Sequence, residues 1–272
     1  MSGGTEEGLL QDIREHPDDD LVRLIYSDWL REHGQPERAD FIRAQCAAIR
    51  EPPHSQQRTR LEQQARELLD RNLEEWTRSL RAAMPELLPD MVTFERGLPH
   101  LVSVNAARYL QDPSSLSALF DAEPLLGLRV LSLDEEQLRA LAASPSLRAV
   151  HTLDLAGWDI GDTGARILAS SPNLARITSL NLAGNSLTDE GVSALAESSH
   201  LQALRCLNLT HNRITVNGAL TALRSPHLAK LQSLNVDHNF IDRHALAEID
   251  RALAARTPGY QAPPRVPQVG PI

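Results

Sequence analysis

Apolar and polar positions alternate in the second half of the chain, and the pattern recurs at a fixed spacing. Four segments align without gaps, beginning at Val150, Ile177, Leu204 and Leu231, so that successive starts lie 27 residues apart. Each segment has two apolar residues separated by one polar residue, a period of two that predicts a short, half-buried strand. Strands this short are stable only when they stack on one another. The paired apolar positions are Leu153/Leu155, Leu180/Leu182, Leu207/Leu209 and Leu234/Val236.

The stretches between these strands have helical periodicity. TGARILASSPNL, EGVSALAESSHL and NGALTALRSPHL each carry an early glycine and apolar residues spaced as on one face of a helix. His244–Arg256 predicts a last helix that caps the array, because the end of a stacked array would otherwise expose its core. An asparagine follows each of the last three strands. Trp158 takes that place after the first strand, which predicts an irregular turn there.

The pattern L-x-x-L-x-L-x-x-N-x-L with a 27-residue period resembles leucine-rich repeats of the ribonuclease-inhibitor type. The resemblance implies an α/β fold, a solenoid with parallel strands inside and helices outside, preceded here by a small helical domain. It also implies that Asn185, Asn212 and Asn239 turn inward and bond the backbone. Residues 128–256 are assigned to the repeats. Leu128, Leu131 and Leu133 are interpreted as a degenerate first repeat, with Glu136 at the asparagine position.

Residues 5–50 do not follow the repeat and predict three short helices. Pro17 ends the first, Asp18 is the expected N-cap of the second, and Gly34 and Pro36 separate the second from the third. The buried face of the second helix is predicted from apolar residues at helical spacing: Leu21, Leu24, Ile25 and Trp29. Residues 56–83 predict one long amphipathic helix.

The stretch from Pro17 to Gln45 resembles the bacterial "repeat-companion" domain, whose motif P-x-D-D-x-x-R-L-x-Y-A-D-W-L is matched closely. The resemblance implies a helical domain over residues 1–85 and no known activity. Residues 86–127 are predicted to hold a capping hairpin and the unit that leads into the repeats. The hairpin strands are expected at Met91–Phe94 and Leu101–Val104, around a Gly-Leu-Pro turn. The family resemblance implies an Arg-Gly turn here, which Arg96 and Gly97 match. Residues 257–272 carry five prolines and predict a disordered, proline-rich tail.

Composition narrows the class of protein. Charged residues make up 23% of the chain and hydrophobic residues 42%, which excludes disorder over most of the length. The net charge of −9 argues against nucleic acid and anionic membranes as partners. Cys46 and Cys206 are expected to be free thiols in a reducing compartment. No secretory signal or spanning segment is recognisable. We therefore expect a cytoplasmic, monomeric protein, and the resemblance to the repeat-companion domain implies a bacterial one.

The search for reaction chemistry yields no strong motif. There is no Walker A, dinucleotide-binding, HExxH or GxSxG sequence, so no catalytic residue or cofactor is predicted and the protein is not expected to be an enzyme. The acidic run at Asp18–Asp20 is interpreted as a helix start. His211 and His238 lie one repeat apart and could be neighbours, but they lack an obvious third ligand, so solvated histidines are favoured over a metal site.

The predicted function is non-catalytic binding of a protein partner of unknown identity. The expected contact surface comprises strand residues that point away from the core, and the residues just after the strands. Short polar side chains that merely allow stacking remain the alternative interpretation of this surface. The predicted set is Asp154, Asn181, Asn208, Asn235, Thr210, Asp237, His211, His238, Arg213 and Phe240.

A second hypothesis places an unrecognised enzymatic or GTPase-regulatory activity in the helical domain, with the repeats selecting the target. In that case four charged residues would gather in a cleft and show perturbed titration. They are Asp19, Arg23, Asp28 and Arg43.

Overall fold

The computed structural model describes residues 5–109 and 113–256. The chain forms two compact units, the first from Met1–Val104 with Ser114–Gly127 and the second from Asn105–Pro113 with Leu128–Ile272. The predicted tail, 257–272, lies outside the described residues. The elements up to residue 122 are α1 Glu6–Glu15, α2 Asp20–Glu32, α3 Pro36–Arg50, α4 Gln56–Trp76, α5 Arg78–Ala83, β1 Val92–Glu95, β2 Leu98–Val104, α6 Ala106–Tyr109 and α7 Pro113–Ala122.

The elements that follow alternate between strand and helix. They are β3 Gly127–Val130, α8 Glu135–Ala143, β4 Thr152–Asp154, α9 Gly161–Ala169, β5 Ser179–Asn181, α10 Asp189–Ala196, β6 Cys206–Asn208, α11 Val216–Arg224, β7 Ser233–Asn235 and α12 Arg243–Arg256.

The start of α2 is set by one side chain. Asp19 is the N-cap, and its carboxylate accepts a hydrogen bond from the backbone N–H of Leu21 at 2.8 Å. The prediction that Asp18 caps this helix was therefore wrong by one residue. The expected boundary between α2 and α3 is confirmed, because Gly34 has a φ of +81° and Pro36 is the first residue of α3.

The buried face of α2 agrees only in part with the predicted one, since Leu24 and Trp29 pack against the core as expected. Leu21 and Ile25 are 62% and 50% exposed, whereas Arg23, Tyr26 and Leu30 are buried. Tyr26 can be buried because its hydroxyl donates a hydrogen bond to Glu6 at 2.9 Å, so this hydroxyl is not left unpaired. Apolar periodicity misplaced part of the buried face of α2 because it gives no weight to polar side chains that find hydrogen-bond partners in the core.

Two further predictions in the first unit need correction. The expected long helix breaks at Thr77, which is buried and whose hydroxyl donates to the Leu73 carbonyl at 2.8 Å. The hairpin turns at Arg96 and Gly97, as the family resemblance implied, rather than at Gly-Leu-Pro, with φ of +51° and +84°. Two positive φ angles are typical of a two-residue turn whose twist matches that of paired antiparallel strands. Leu98 therefore begins β2.

The second unit repeats one architecture. β4, β5, β6 and β7 pair in parallel and in register, so that Thr152, Ser179, Cys206 and Ser233 form one row. The central leucine of each of these strands is at most 2% exposed. A helix follows each strand, and the predicted α/β solenoid with parallel strands inside, helices outside and a helical region before it is confirmed.

The predicted register of the first repeat was wrong. β3 ends at Val130, and Glu136 lies inside α8 rather than in a turn after a strand. Asp134 and Gln137 form a capping box, in which the Asp134 carboxylate accepts from the Gln137 N–H at 2.8 Å and the Gln137 side chain accepts from the Asp134 N–H at 3.0 Å. Because this cap starts α8 only a few residues after β3, the turn that follows the strand in later repeats and carries an asparagine has no counterpart here.

A row of carboxylates joins successive helical halves. Asp162 accepts hydrogen bonds from the backbone N–H and the hydroxyl of Thr188 at 2.8 and 2.7 Å, and from the Gly191 N–H at 3.0 Å. Asp189 binds Thr215 in the same way one repeat later. Each carboxylate of one repeat thus caps the next helix. The sequence analysis missed this row, although its 27-residue spacing is visible in the sequence.

A row of serine hydroxyls joins the ends of the helical halves. The hydroxyl of Ser171 donates to the Ala142 carbonyl at 2.6 Å, and that of Ser198 donates to the Ala169 carbonyl at 2.5 Å. Ser225 makes the equivalent bond one repeat later. These carbonyls belong to helix C-termini, which lack partners within their own helix. Each serine therefore supplies a hydrogen-bond donor to one carbonyl at the C-terminus of the helix in the preceding repeat.

The carboxylate row predicts an unusual effect of Gly191→Ala. Alanine normally stabilises a helix interior by about 1 kcal/mol relative to glycine. At this position a Cβ would overlap the Asp162 carboxylate and lie 3.1 Å from Leu187. We expect a net loss of about 2 kcal/mol in the free energy of unfolding, measured by urea denaturation, because overpacking costs about 1–3 kcal/mol.

The control is the double variant Asp162→Ala/Gly191→Ala. Removing the carboxylate makes room for the new methyl group, so the double variant should lose less stability than the sum of the two single variants. Strictly additive losses, or a stabilising Gly191→Ala, would contradict this account of the row.

Candidate binding surface

A row of asparagines, the asparagine ladder (Asn185 and Asn212, which are buried, and Asn239, which is half-buried), holds the strand side of the repeats in place. The side-chain nitrogen of Asn212 donates to the carbonyls of Leu182 and Leu209, both at 2.9 Å. Its side-chain oxygen accepts from the backbone N–H groups of Asn185 and Leu187 at 3.0 and 2.9 Å. One side chain therefore bonds both its own turn and the preceding repeat.

Asn185 and Asn239 make the same kind of contact. The Asn185 nitrogen donates to the Leu155 carbonyl at 2.8 Å, and the Asn239 nitrogen donates to the Leu209 carbonyl at 2.8 Å. The inward orientation implied by the family resemblance is therefore what the structure has. The role of these three residues is structural, since they are at most partly exposed and bond only backbone groups of the repeats.

Trp158 takes over part of this role in the first full repeat. Its indole N–H donates to the Val130 carbonyl at 2.9 Å, and its backbone N–H donates to Asn185 at 3.0 Å. The turn shares positive φ at Gly157 and Asp159 with Gly184 and Ser186 of the next turn, but Gly161 adds a third, +59°, where the equivalent Thr188 has a φ of −106°. The predicted irregularity is therefore present, at Gly161, although the Trp158 indole donates a hydrogen bond much as an asparagine amide would.

The central column of the predicted surface consists of Asp154, Asn181, Asn208 and Asn235. Each side-chain oxygen accepts from the backbone N–H two residues later, at 3.1–3.2 Å. Asp154 is only 8% exposed and also binds Arg129 at 2.8 Å and the Asn181 amide at 2.9 Å. These four residues shape the ends of their own strands. A protein partner could contact only the solvent-exposed part of these side chains, because their oxygens already accept hydrogen bonds within the repeats.

The remaining predicted residues lie just after the last two strands, β6 and β7, and we refer to them as the terminal cluster: Thr210, His211, Arg213, Asp237, His238 and Phe240. Thr210 and Asp237 are half-buried and the other four are exposed, with Phe240 at 72%. The rings of His211 and His238 stack, with centroids 4.2 Å apart and planes 7° apart. The expected proximity of the two imidazoles is confirmed.

Both histidines have backbone angles that favour glycine. Their φ values are +55° and +58°, and the equivalent residues of the two preceding repeats are Gly157 and Gly184, at +83° and +66°. A left-handed backbone costs a residue with a Cβ roughly 1–2 kcal/mol, although histidine is among the better tolerated residues. The turn itself therefore does not require histidine.

The four charged residues proposed for a cleft in the helical domain do not share one site. Asp19 caps α2, and Asp28 pairs with Arg43 at the surface, as a structural ion pair would. Arg23 is buried and donates to the Asp19 carbonyl at 3.4 Å, and burial, followed by the nearby Arg96, lowers the pKa of Arg23. The groove between α3 and α4 is lined by other residues, among them Phe41 and Leu69.

The described part of the chain shows no group of three or more histidine, cysteine or acidic residues arranged to hold a metal ion. Among the same residues, no helix combines the length and the hydropathy needed to cross a membrane.

The two thiols should differ sharply in reactivity. Cys46 is 1% exposed, and burial raises the pKa of its thiol to about 11, whereas Cys206 is exposed. Since the thiolate is the reactive species, we expect a disulfide reagent such as DTNB to modify one thiol per native chain and both after denaturation. Cys206→Ser should abolish the native reaction. Equally fast modification of Cys46 in the folded protein would contradict its burial.

The asparagines of the ladder and of the surface column should also differ. Asn212→Ala would leave three carbonyls and two N–H groups without this partner, and each buried unpaired group costs about 1–3 kcal/mol. We expect a loss of about 3 kcal/mol in the free energy of unfolding, measured with urea. Asn208→Ala, the matched surface variant, should lose less than about 1.5 kcal/mol. Similar losses for both would show that the ladder has no special role.

A family model agrees with the geometry of the repeats. Residues 177–196 and 200–221 match a family model described as Leucine Rich repeat. No curated protein sequence matches the chain. Among solved structures, the chain is similar to an internalin (inlF) from Listeria monocytogenes str. 4b F2365, with 20% identity and a TM-score of 0.32. That match covers 56% of this chain and 46%, less than half, of the internalin. Together with the stacked strands and the asparagine ladder, the family match shows that the second unit folds as a leucine-rich repeat solenoid.

Proposed function

We propose that this protein is a non-catalytic binding module that holds a protein partner against the strand side of its repeats. Leucine-rich repeat domains generally mediate protein–protein interaction. The observation that carries the proposal is the terminal cluster, where two stacked imidazoles are each followed, two residues later in the sequence, by an exposed side chain, Arg213 and Phe240. Aromatic and arginine side chains are enriched among residues that dominate binding energy at interfaces.

The rigidity of the repeats supports the same function. The asparagine ladder, the carboxylate row and the serine row connect successive repeats on both sides of the strands. A surface held in this way is already ordered before a partner arrives, so association costs less conformational entropy. Scaffolding or regulation of the partner would be the biological outcome.

The proposal also covers the type of repeat, the helical domain, the oligomeric state and the location in the cell. The 27-residue period supports the ribonuclease-inhibitor type of repeat, and the motif from Pro17 to Gln45 supports a bacterial repeat-companion domain before the repeats. We further propose a monomer in the cytoplasm that binds neither nucleic acid nor membrane, in accord with a net charge of −9. Since Asp19, Arg23, Asp28 and Arg43 do not form one cleft, no observation favours an enzymatic or GTPase-regulatory helical domain.

The proposal predicts which variants lose the partner in an affinity capture from the native source followed by mass spectrometry. Phe240→Ala and Ser233→Arg change exposed side chains that face away from the core. We expect each to reduce capture of a discrete partner at least tenfold. Thr221→Arg, which adds the same charge on the exposed side of α11, is the matched control and should retain it.

Folding of every variant is checked by its urea unfolding midpoint. Loss of the partner only with Phe240→Ala and Ser233→Arg would locate the contact on the strand side. Retention of the partner by these two variants, or its loss with Thr221→Arg alone, would contradict the proposed surface.

A further inference from the structure

The stacked histidines of the terminal cluster form a pair that the turns do not need. His211 and His238 stand where Gly157 and Gly184 stand in the preceding repeats, in the same left-handed conformation. Glycine adopts this conformation without penalty. Two successive repeats therefore carry an imidazole at a position where the backbone favours no side chain.

Repeat stacking brings the two imidazoles together. The backbone N–H of His211 donates to the Asp237 carbonyl at 3.1 Å, as the Gly184 N–H donates to the Thr210 carbonyl at 2.9 Å in the repeat before. The two turns are thereby fixed side by side, and the ring centroids lie 4.2 Å apart with nearly parallel planes. Both rings are exposed, so an ion can reach them from solvent.

We propose that His211 and His238 chelate a divalent transition-metal ion, with Cu²⁺ bound more tightly than Zn²⁺. Imidazole nitrogen is a favoured ligand of both ions, and Cu²⁺ stands highest in the order of affinity for such sites. At metal–nitrogen bonds of about 2.0–2.1 Å, two nitrogens on one ion lie roughly 3 Å apart. Rotation of the two exposed rings about their side-chain bonds turns the stack into this converging arrangement.

The site differs from a closed structural metal site. Two protein ligands leave the remaining positions of the ion to water or to a donor from another molecule, whereas structural zinc sites use four protein ligands. The ladder and the backbone bonds already hold these turns, so the fold does not depend on the ion. Arg213, two residues after His211 in the sequence, is an exposed cation, and its charge disfavours a second cation nearby.

The test is a calorimetric titration of the purified full-length protein, free of any histidine tag, with Cu²⁺ and separately with Zn²⁺. We expect one Cu²⁺ per chain to be bound, and more weakly one Zn²⁺. His211→Gly and His238→Gly should each reduce Cu²⁺ affinity at least tenfold. Glycine is the residue that the preceding repeats use here, so both variants should fold.

His54→Gly is the matched control, because His54 is also an exposed histidine with a positive φ, +67°, but lies in the helical unit. It should bind Cu²⁺ as the parent does. Electron paramagnetic resonance of the Cu²⁺-loaded parent should show coupling to two imidazole nitrogens, and to one in each variant of the pair. Absence of binding at micromolar Cu²⁺, or equal binding by the parent and both pair variants, would overturn the proposal. The outcome is independent of whether a protein partner is found.

Discussion

The hydrogen bonds that buried asparagines make between repeats are the constraint on which the second unit depends. Each strand from β4 to β7 has only three residues, which is too short to fix the position of its neighbour through backbone pairing alone. Asn212 supplies what the strands lack, since its amide contacts the backbone of two repeats at once. Removing the side chain would expose a polar backbone to an apolar core.

The carboxylate row and the serine row add hydrogen bonds between repeats on the helix side. Asp162 and Asp189 cap the following helix, and Ser171, Ser198 and Ser225 bond the end of the preceding one. Polar contacts therefore connect successive repeats along the strand side and at both ends of the helices, while leucines fill the space between. A surface built on this frame keeps its shape when a partner is absent, which is why we connect the ladder to binding.

The repeats could be predicted from sequence because their signal is periodic. The leucine and asparagine positions recur every 27 residues, so four weak local patterns reinforce one another. The β3 region could not be predicted because it occurs once, and a capping box at Asp134 competes with the expected strand. The buried face of α2 was misplaced in part because Arg23 and Tyr26 find partners inside the unit, which apolar spacing cannot reveal.

The binding surface was only partly accessible to sequence reasoning. The period placed His211 beside His238 correctly, but it could not show that Asn181 and Asn208 accept hydrogen bonds from their own turns. The sequence analysis missed the carboxylate row and the serine row for a different reason. Acids at the start of a helix and serines at its end are common in any helix, so Asp162 and Ser198 attracted no notice until their partners in neighbouring repeats were known.

Native-state hydrogen exchange, followed by nuclear magnetic resonance, tests the role of the asparagine ladder most directly. The backbone N–H groups of Asn185, Leu187 and Ile214 donate to ladder side chains rather than to a strand or helix. We predict that they exchange only through opening events nearly as costly as unfolding of the whole unit. Exchange at the rate of exposed loop amides, while the leucine-flanked strands stay protected, would contradict the claim that the ladder holds the repeats together.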